Sequence, residues 1–243
     1  MPDTTVLIVG AGPVGLLLAG DLRAHGVPTV VVERLTAPMT ESRASTLHTR
    51  TMDLLARRGL LDEERLGALP NGGPGHFGGL PLDLSAADPG HPYAGQWKCP
   101  QTRLEAVLQA RAEESGAVVR RGRRVVAVRP SGTHVTVETV GTDGDREHLR
   151  AAYVVGCDGA DSTVRRLAGF DLTGQDARRE MLRADVTGLD IPDRRFERHP
   201  RGLATAHRWP DGSTRVMVHV FGTAPGRAPD RPSTPRSPRP GPR

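Results

Sequence analysis

Apolar residues follow two rhythms along this chain. Near the start, Val6-Leu7-Ile8-Val9 is a continuous apolar run of the kind a strand buried on both faces carries. Val14, Leu17, Leu18 and Leu22 then fall at i, i+3, i+4 and i+8, one face of a helix that Gly26 closes. Thr29-Val30-Val31-Val32-Glu33 predicts a second strand, ending on an acid. A helix is predicted from about His48 to Arg58, stopped by Gly59. Thr102-Arg103-Leu104-Glu105 has the form of a capping box, and Leu104, Val107, Leu108, Arg111 and Ala112 line one side of the helix it opens. Beyond residue 120 the apolar segments are strand-like. Residues 124–128, 133–140 and 149–157 are separated by the turns Pro130-Ser131-Gly132 and Thr142-Asp143-Gly144, which predicts a β-meander. Its last strand runs into a turn and a short helix over 162–168, with Asp161 as N-cap and Gly169 as stop. Further strands are predicted between 180 and 221. Residues 66–100 are rich in Gly and Pro and read as loops and short strands.

Between the first strand and the first helix, Gly10, Gly12 and Gly15 stand at the G-x-G-x-x-G spacing, with Pro13 at a position where the first helical turn tolerates a missing N–H. The spacing alone is weak, because glycines are common in turns. A strand before it, a helix after it and Glu33, 18 residues beyond Gly15, make it a dinucleotide turn. Gly10 permits the tight turn, Gly12 lets the backbone approach phosphates, Gly15 lets helix and strand pack, and Glu33 meets a ribose hydroxyl. The alternative is a structural βαβ turn without ligand.

Composition narrows the remaining classes. A length of 243 residues accommodates one large domain or two small ones, and 3% aromatic residues imply an aliphatic core. Lys98 is the only lysine among 33 basic residues. Most of the net charge of +5 lies in residues 225–243, where five arginines face one acid, Asp230. No basic face for nucleic acid is therefore expected on the folded part. The same segment holds seven prolines and P-x-x-P spacings at Pro232–Pro235 and Pro235–Pro238, and reads as a disordered tail. Cys99 and Cys157 lack C-x-x-C spacing and read as free thiols of a reducing, cytoplasmic compartment, with no metal site. No signal peptide and no apolar window long enough for a bilayer is visible.

Three segments taken together go beyond a generic dinucleotide fold. They are Gly10–Gly15 with Glu33-Arg34, Ser42-Arg43-Ala44 leading into Leu47-His48-Thr49-Arg50-Thr51-Met52, and 157–165, Cys-Asp-Gly-Ala-Asp-Ser-Thr-Val-Arg. Over roughly residues 4–222 the chain resembles the single-component FAD-dependent aromatic hydroxylases, the para-hydroxybenzoate hydroxylase-like class, and most of all their antibiotic and polyketide hydroxylases, rifampicin monooxygenase-like proteins included. The resemblance implies an α/β fold: a Rossmann-like FAD-binding domain with a β-meander, plus part of a mixed-sheet substrate domain. It divides the chain into 1–65 with 101–175 for FAD, 66–100 with 176–222 for part of the substrate domain, and the tail over 223–243.

The resemblance also implies roles. Gly10, Gly12, Pro13 and Gly15 wrap the FAD pyrophosphate, Glu33 bonds the adenosine ribose, and Arg34 lies on the adenine side with the backbone of Val125. Arg43 reaches the phosphate and flavin region, and Gln101 opens a helix at the flavin edge. Asp158 and Gly159 serve FAD and the pyrophosphate of NAD(P)H. NAD(P)H would reduce the flavin, and oxygen from O2 would pass to an electron-rich ring of a small aromatic substrate. No protein acid or base is assigned, and oligomeric state is not legible.

The chain also departs from that pattern. The later Gly-Asp followed by Ala-Ala-His is missing: Gly20-Asp21 falls inside the first helix, and Gly144-Asp145 in a hairpin turn. After Phe221 the sequence turns to Pro and Arg, which reads as a C-terminal truncation with weak FAD binding and impaired turnover. Three alternatives stay open: a flavoprotein of the same fold with other chemistry, such as a halogenase, whose lysine could only be Lys98; a nicotinamide dehydrogenase, which needs a continuing parallel series; and an inactive remnant acting by partner binding.

Overall fold

The apolar run at the start of the chain forms β1 (Thr4–Val9), whose last four residues are all buried. The computed structural model describes residues 2–41, 44–61, 66–67, 69–70, 75–77, 80–175, 178–192, 194–209 and 211–223. The chain divides into two units, 1–172 and 173–243.

In the first unit, α1 (Pro13–Ala24) leads from β1 to β2 (Thr29–Val32), which pairs parallel to β1 with Val6 opposite Thr29. β3 (Thr46–His48), α2 (Thr49–Ala56) and the short strands β4 (Leu69–Pro70), β5 (Gly75–Phe77), β6 (Leu80–Leu82) and β7 (Gln96–Lys98) precede α3 (Gln101–Glu114). β8 (Val118–Arg120) adds parallel to β2. The meander follows as β9 (Arg124–Pro130), β10 (Val135–Val140) and β11 (Arg146–Gly156), and α4 (Thr163–Leu167) comes after it. The main sheet has the order β8-β2-β1-β11-β10-β9. β11 joins its two halves. Residues Arg146 to Ala151 pair antiparallel with β10, and Ala151 to Gly156 pair parallel with β1.

Successive residues of β1 face opposite sides of the sheet. Val6 and Ile8 meet Leu16 and Ala19 of α1, Met52 and Leu55 of α2, and Leu104, Leu108 and Ala112 of α3. Leu7 and Val9 meet Val32, Val125, Val137, Leu149 and Val164. A strand buried on both faces explains why its sequence shows no alternation. The architecture is the α/β fold with a meander that the sequence predicts.

Three local expectations are corrected. The buried face of α1 is Gly15, Leu16, Ala19 and Gly20; the predicted Leu17, Leu18 and Leu22 are partly buried against the same core, while Val14 is 69% exposed. No capping box forms at α3. Pro100 takes the N-cap position, the helix begins at Gln101, and Glu105 accepts from Gln101 Nε2 at 2.7 Å. At α4 the N-cap is Ser162 rather than Asp161, its Oγ accepting from the Arg165 N–H at 3.0 Å.

The second unit is an antiparallel sheet of β12 (Leu182–Val186), β13 (Arg194–His199), β14 (Gly202–Arg208) and β15 (Thr214–Val220), in the order β12-β15-β14-β13. Arg215 is buried there. Its guanidinium forks onto Asp185 with two bonds of 2.8 Å and lies over the Trp209 ring at 5.2 Å, the pairing a buried charge requires. The predicted tail, from residue 224 on, lies outside the described residues. Among the described residues no helix is long and apolar enough to cross a membrane.

Candidate functional site

Three turns meet at the carboxyl ends of β1, β2 and β11, the edge of a parallel sheet where α/β folds place their ligands. The Gly10 N–H donates to the Val32 carbonyl at 2.8 Å, and the Cys157 N–H to the Val9 carbonyl at 2.7 Å. The glycine turn is thus clamped between the ends of its two neighbours. Gly10 has φ +106°, and a Cβ there would lie 2.5 Å from the Cys157 carbonyl oxygen. Only glycine fits. A Cβ on Gly15 would collide with the Gly10 carbonyl oxygen, so that glycine is set by the helix crossing its own turn.

Gly12 differs from both. Its backbone is extended (φ −82°, ψ −179°), a conformation any residue adopts, and a Cβ there would meet nothing within 4 Å. Neither torsion nor packing within the protein calls for glycine at this position. The backbone there lies open to a group approaching from outside. Gly12 is also the N-cap of α1, with Pro13 following and no side chain capping the helix. The first-turn N–H groups therefore have no side-chain cap and the positive end of the helix dipole behind them, a fit for a pyrophosphate.

Glu33, just past β2, is held beside this turn. Its Oε2 accepts from the Ala11 N–H at 2.8 Å, and its Oε1 from the Leu35 N–H at 2.9 Å. Its own backbone bonds both ways to the 120–123 segment, from its N–H to the Arg120 carbonyl and from the Arg123 N–H to its carbonyl, each at 2.8 Å. Two backbone donors fix the carboxylate and leave lone pairs for a ligand hydroxyl. Arg34 follows, exposed. Val125 lies two residues beyond Arg123 on β9, its side chain buried with Leu7, Val9 and Val32.

On the third turn, Asp158 is a capping residue. Its Oδ1 accepts from Ser162 Oγ at 2.5 Å, and its Oδ2 from the N–H groups of Thr163 and Val164 at 2.6 and 3.1 Å. The carboxylate thereby closes the start of α4 and shapes the loop through Gly159. Burial and the neighbouring Asp158 charge raise the Cys157 thiol above its ordinary value. Ser162 is the residue sequence reasoning missed. The signal was a hydroxyl directly before the short helix.

Arg43 and Ser42 lie outside the described residues, but the chain directly after them is placed. The Gln101 N–H donates to the Ala44 carbonyl at 3.1 Å, and the Cys99 N–H to the Ser45 carbonyl at 3.0 Å. The start of α3 is therefore docked on the segment following Arg43. Gly20-Asp21 has a packing role. Arg58 forks onto the Asp21 carboxylate and Arg111 Nη1 reaches it at 3.0 Å, while a Cβ on Gly20 would lie 2.7 Å from Arg111 Nη1. The Arg58 hydrogen bond, aided by Arg111 and opposed by burial, holds this carboxyl below the usual carboxylate range. Among the described residues no group of three or more His, Cys, Asp or Glu is placed to hold a metal ion.

Residues 3–235 match the family described as FAD binding domain. The chain is 46% identical, over 183 residues, to a 12-dehydrotetracycline 5-monooxygenase/anhydrotetracycline 6-monooxygenase of Streptomyces rimosus, covering 74% of this chain and 36% of that protein. It is 38% identical over 238 residues to a rifampicin monooxygenase of Streptomyces venezuelae, covering 91% and 47%. The crystal structure of an aromatic hydroxylase from angucycline biosynthesis superposes with a TM-score of 0.85 at 41% identity, covering 95% of this chain and 46% of that one. The chain spans less than half the length of each of these relatives.

Proposed function

Because this chain belongs to the FAD-binding domain family, we propose that it holds the AMP side of FAD along the carboxyl edge of β1, β2 and β11, as part of a monooxygenase acting on an aromatic, polyketide- or antibiotic-like substrate with NAD(P)H and O2. The observation that carries this reading is Gly12, whose backbone lies open to an outside group, beside an uncapped helix start and an anchored Glu33.

The roles follow from placement. Gly10, Gly12, Pro13 and Gly15 bring the α1 N–H groups to the pyrophosphate, and Glu33 accepts from ribose hydroxyls. Arg34 and the backbone of Val125 border the adenine. Asp158 and Gly159 set the loop that closes the opposite side. Gln101 and Arg43 extend the site toward the isoalloxazine. When bound, FAD supplies the redox and oxygen chemistry; the protein binds, orients and excludes water. Residues 66–100 and residues 176–222 are each assigned to the substrate domain. Both free thiols, and the family itself, favour a cytoplasmic setting.

Two other chemistries find less support. A nicotinamide dehydrogenase would extend the parallel series, whereas β9 and β10 run antiparallel. A halogenase would need Lys98, whose Nζ donates to Thr46 Oγ1 at 3.0 Å between β7 and β3.

Titrating the chain into FAD tests the proposal through quenching of flavin fluorescence. Saturable quenching, competed by ADP and unaffected by riboflavin, is expected. No saturation, or competition by riboflavin with none by ADP, overturns it.

A further inference from the structure

We propose that a basic cleft in the second unit, separate from the glycine turn, is a binding site for a phosphate-bearing ligand. Arg178 and Arg179, before β12, face Arg198 on β13 across a cavity of about 450 Å³ completed by His219 on β15 and by Phe221 and Thr223 just after it. That volume is in the range of small-molecule sites.

The cleft gathers three arginines into one cavity. Several arginines elsewhere meet carboxylates: Arg58 and Arg111 with Asp21, Arg123 with Asp145, Arg208 with Asp190, Arg215 with Asp185. Among the described residues, Arg178, Arg179 and Arg198 have no ion-pair partner and no carboxylate lines the cavity. Three like charges drawn to one cavity repel one another until an anion enters.

Two of the groups are held in place. The Arg198 guanidinium lies 4.5 Å from the Phe221 ring centroid, and the His219 ring meets the same Phe at 5.7 Å, edge to face. His219 Nδ1 bonds the Glu180 carbonyl at 2.8 Å. A carbonyl only accepts, so this nitrogen carries the proton. A carboxylate engages one guanidinium fork with a single charge. Three forks are matched by a phosphate, which carries about −1.5 to −2 and presents three acceptor oxygens. The phosphate has two sources, a free inorganic phosphate or the phosphates of a nucleotide.

The test is calorimetric titration of the full chain with inorganic pyrophosphate, with FAD saturating so that the glycine turn is occupied. A second series uses Gly12→Asp, in which that turn is blocked. Saturable binding is expected in both series, weakened about tenfold or more in Arg198→Ala and in the Arg178→Ala/Arg179→Ala pair and unchanged in Arg208→Ala. NADPH and NADH separate the sources: competition with pyrophosphate by NADPH assigns the nucleotide, and its absence assigns free phosphate. No saturable binding, unchanged affinity in the arginine variants, or equally tight binding of the dicarboxylate phthalate overturns the proposal. Flavin fluorescence on the same variants reports the glycine turn separately, so failure of one site is not mistaken for failure of the other.

Discussion

At the scale of single residues, the three glycines of the turn answer to different constraints, and substitution separates them. Gly12→Asp supplies a good N-cap and a negative charge at a helix start, both neutral or favourable for folding. It also places a side chain and a like charge where a pyrophosphate would lie. Thermal stability within a few degrees of the parent, with FAD affinity reduced about 100-fold or more, is the expected outcome. Gly15→Ala does the opposite. Its Cβ collides with the Gly10 carbonyl, so melting temperature falls with a loss of about 1–3 kcal/mol. Asp158→Ala removes the acceptor for the Thr163 and Val164 N–H groups and costs about 1–2 kcal/mol in denaturant unfolding. The motif already gave the three glycines different roles, a tight turn at Gly10, a phosphate approach at Gly12 and close packing at Gly15. What spacing does not encode is the wall that enforces the turn at Gly10, the Cys157 carbonyl far along the chain.

Among the elements, α1, α3 and the end of α2 are tied by one carboxylate. Asp21 receives Arg58 and Arg111 together, and its pKa lies below the ordinary value because of them, the Arg58 hydrogen bond first. A depressed folded pKa contributes stability that is complete above the unfolded value, about 3.9, and lost as pH falls through the lowered one. Asp21→Asn should therefore lose about 1–3 kcal/mol at pH 7, and the gap to the parent should narrow below about pH 4 in urea unfolding. The strands and the main face of α3 were legible from their periodicities. The start of α3 was not, because the Ala44 carbonyl takes the Gln101 N–H and Pro100 takes the cap, moving the first turn two residues earlier. Likewise, nothing local in Gly20-Asp21 announces Arg111, which comes 90 residues later. Long-range partners decide such details, and a single sequence does not display them.

Across the whole molecule, the Cys99 thiol offers a probe of stability. It is buried in the first core and its pKa is pushed up to about 11 by desolvation, the Arg103 charge only partly offsetting this. Labelling at pH 8 then requires that the core open. FAD at 100 times its dissociation constant should slow labelling about 100-fold if it binds the folded chain alone, and denaturant should abolish the protection. The matching of residues 3–235 to one family and the pairing of β11 with both β1 and β10 belong to this scale too. That pairing has a consequence in time. The Arg150 N–H closes onto the Asp3 carboxylate across 147 residues, and Cys157 walls the glycine turn just beyond. On a ribosome adding about 5–20 residues per second, the turn therefore waits roughly 7–30 s for its wall. Its glycines are among the first residues made, yet the cradle they form becomes competent only when synthesis has passed Gly159.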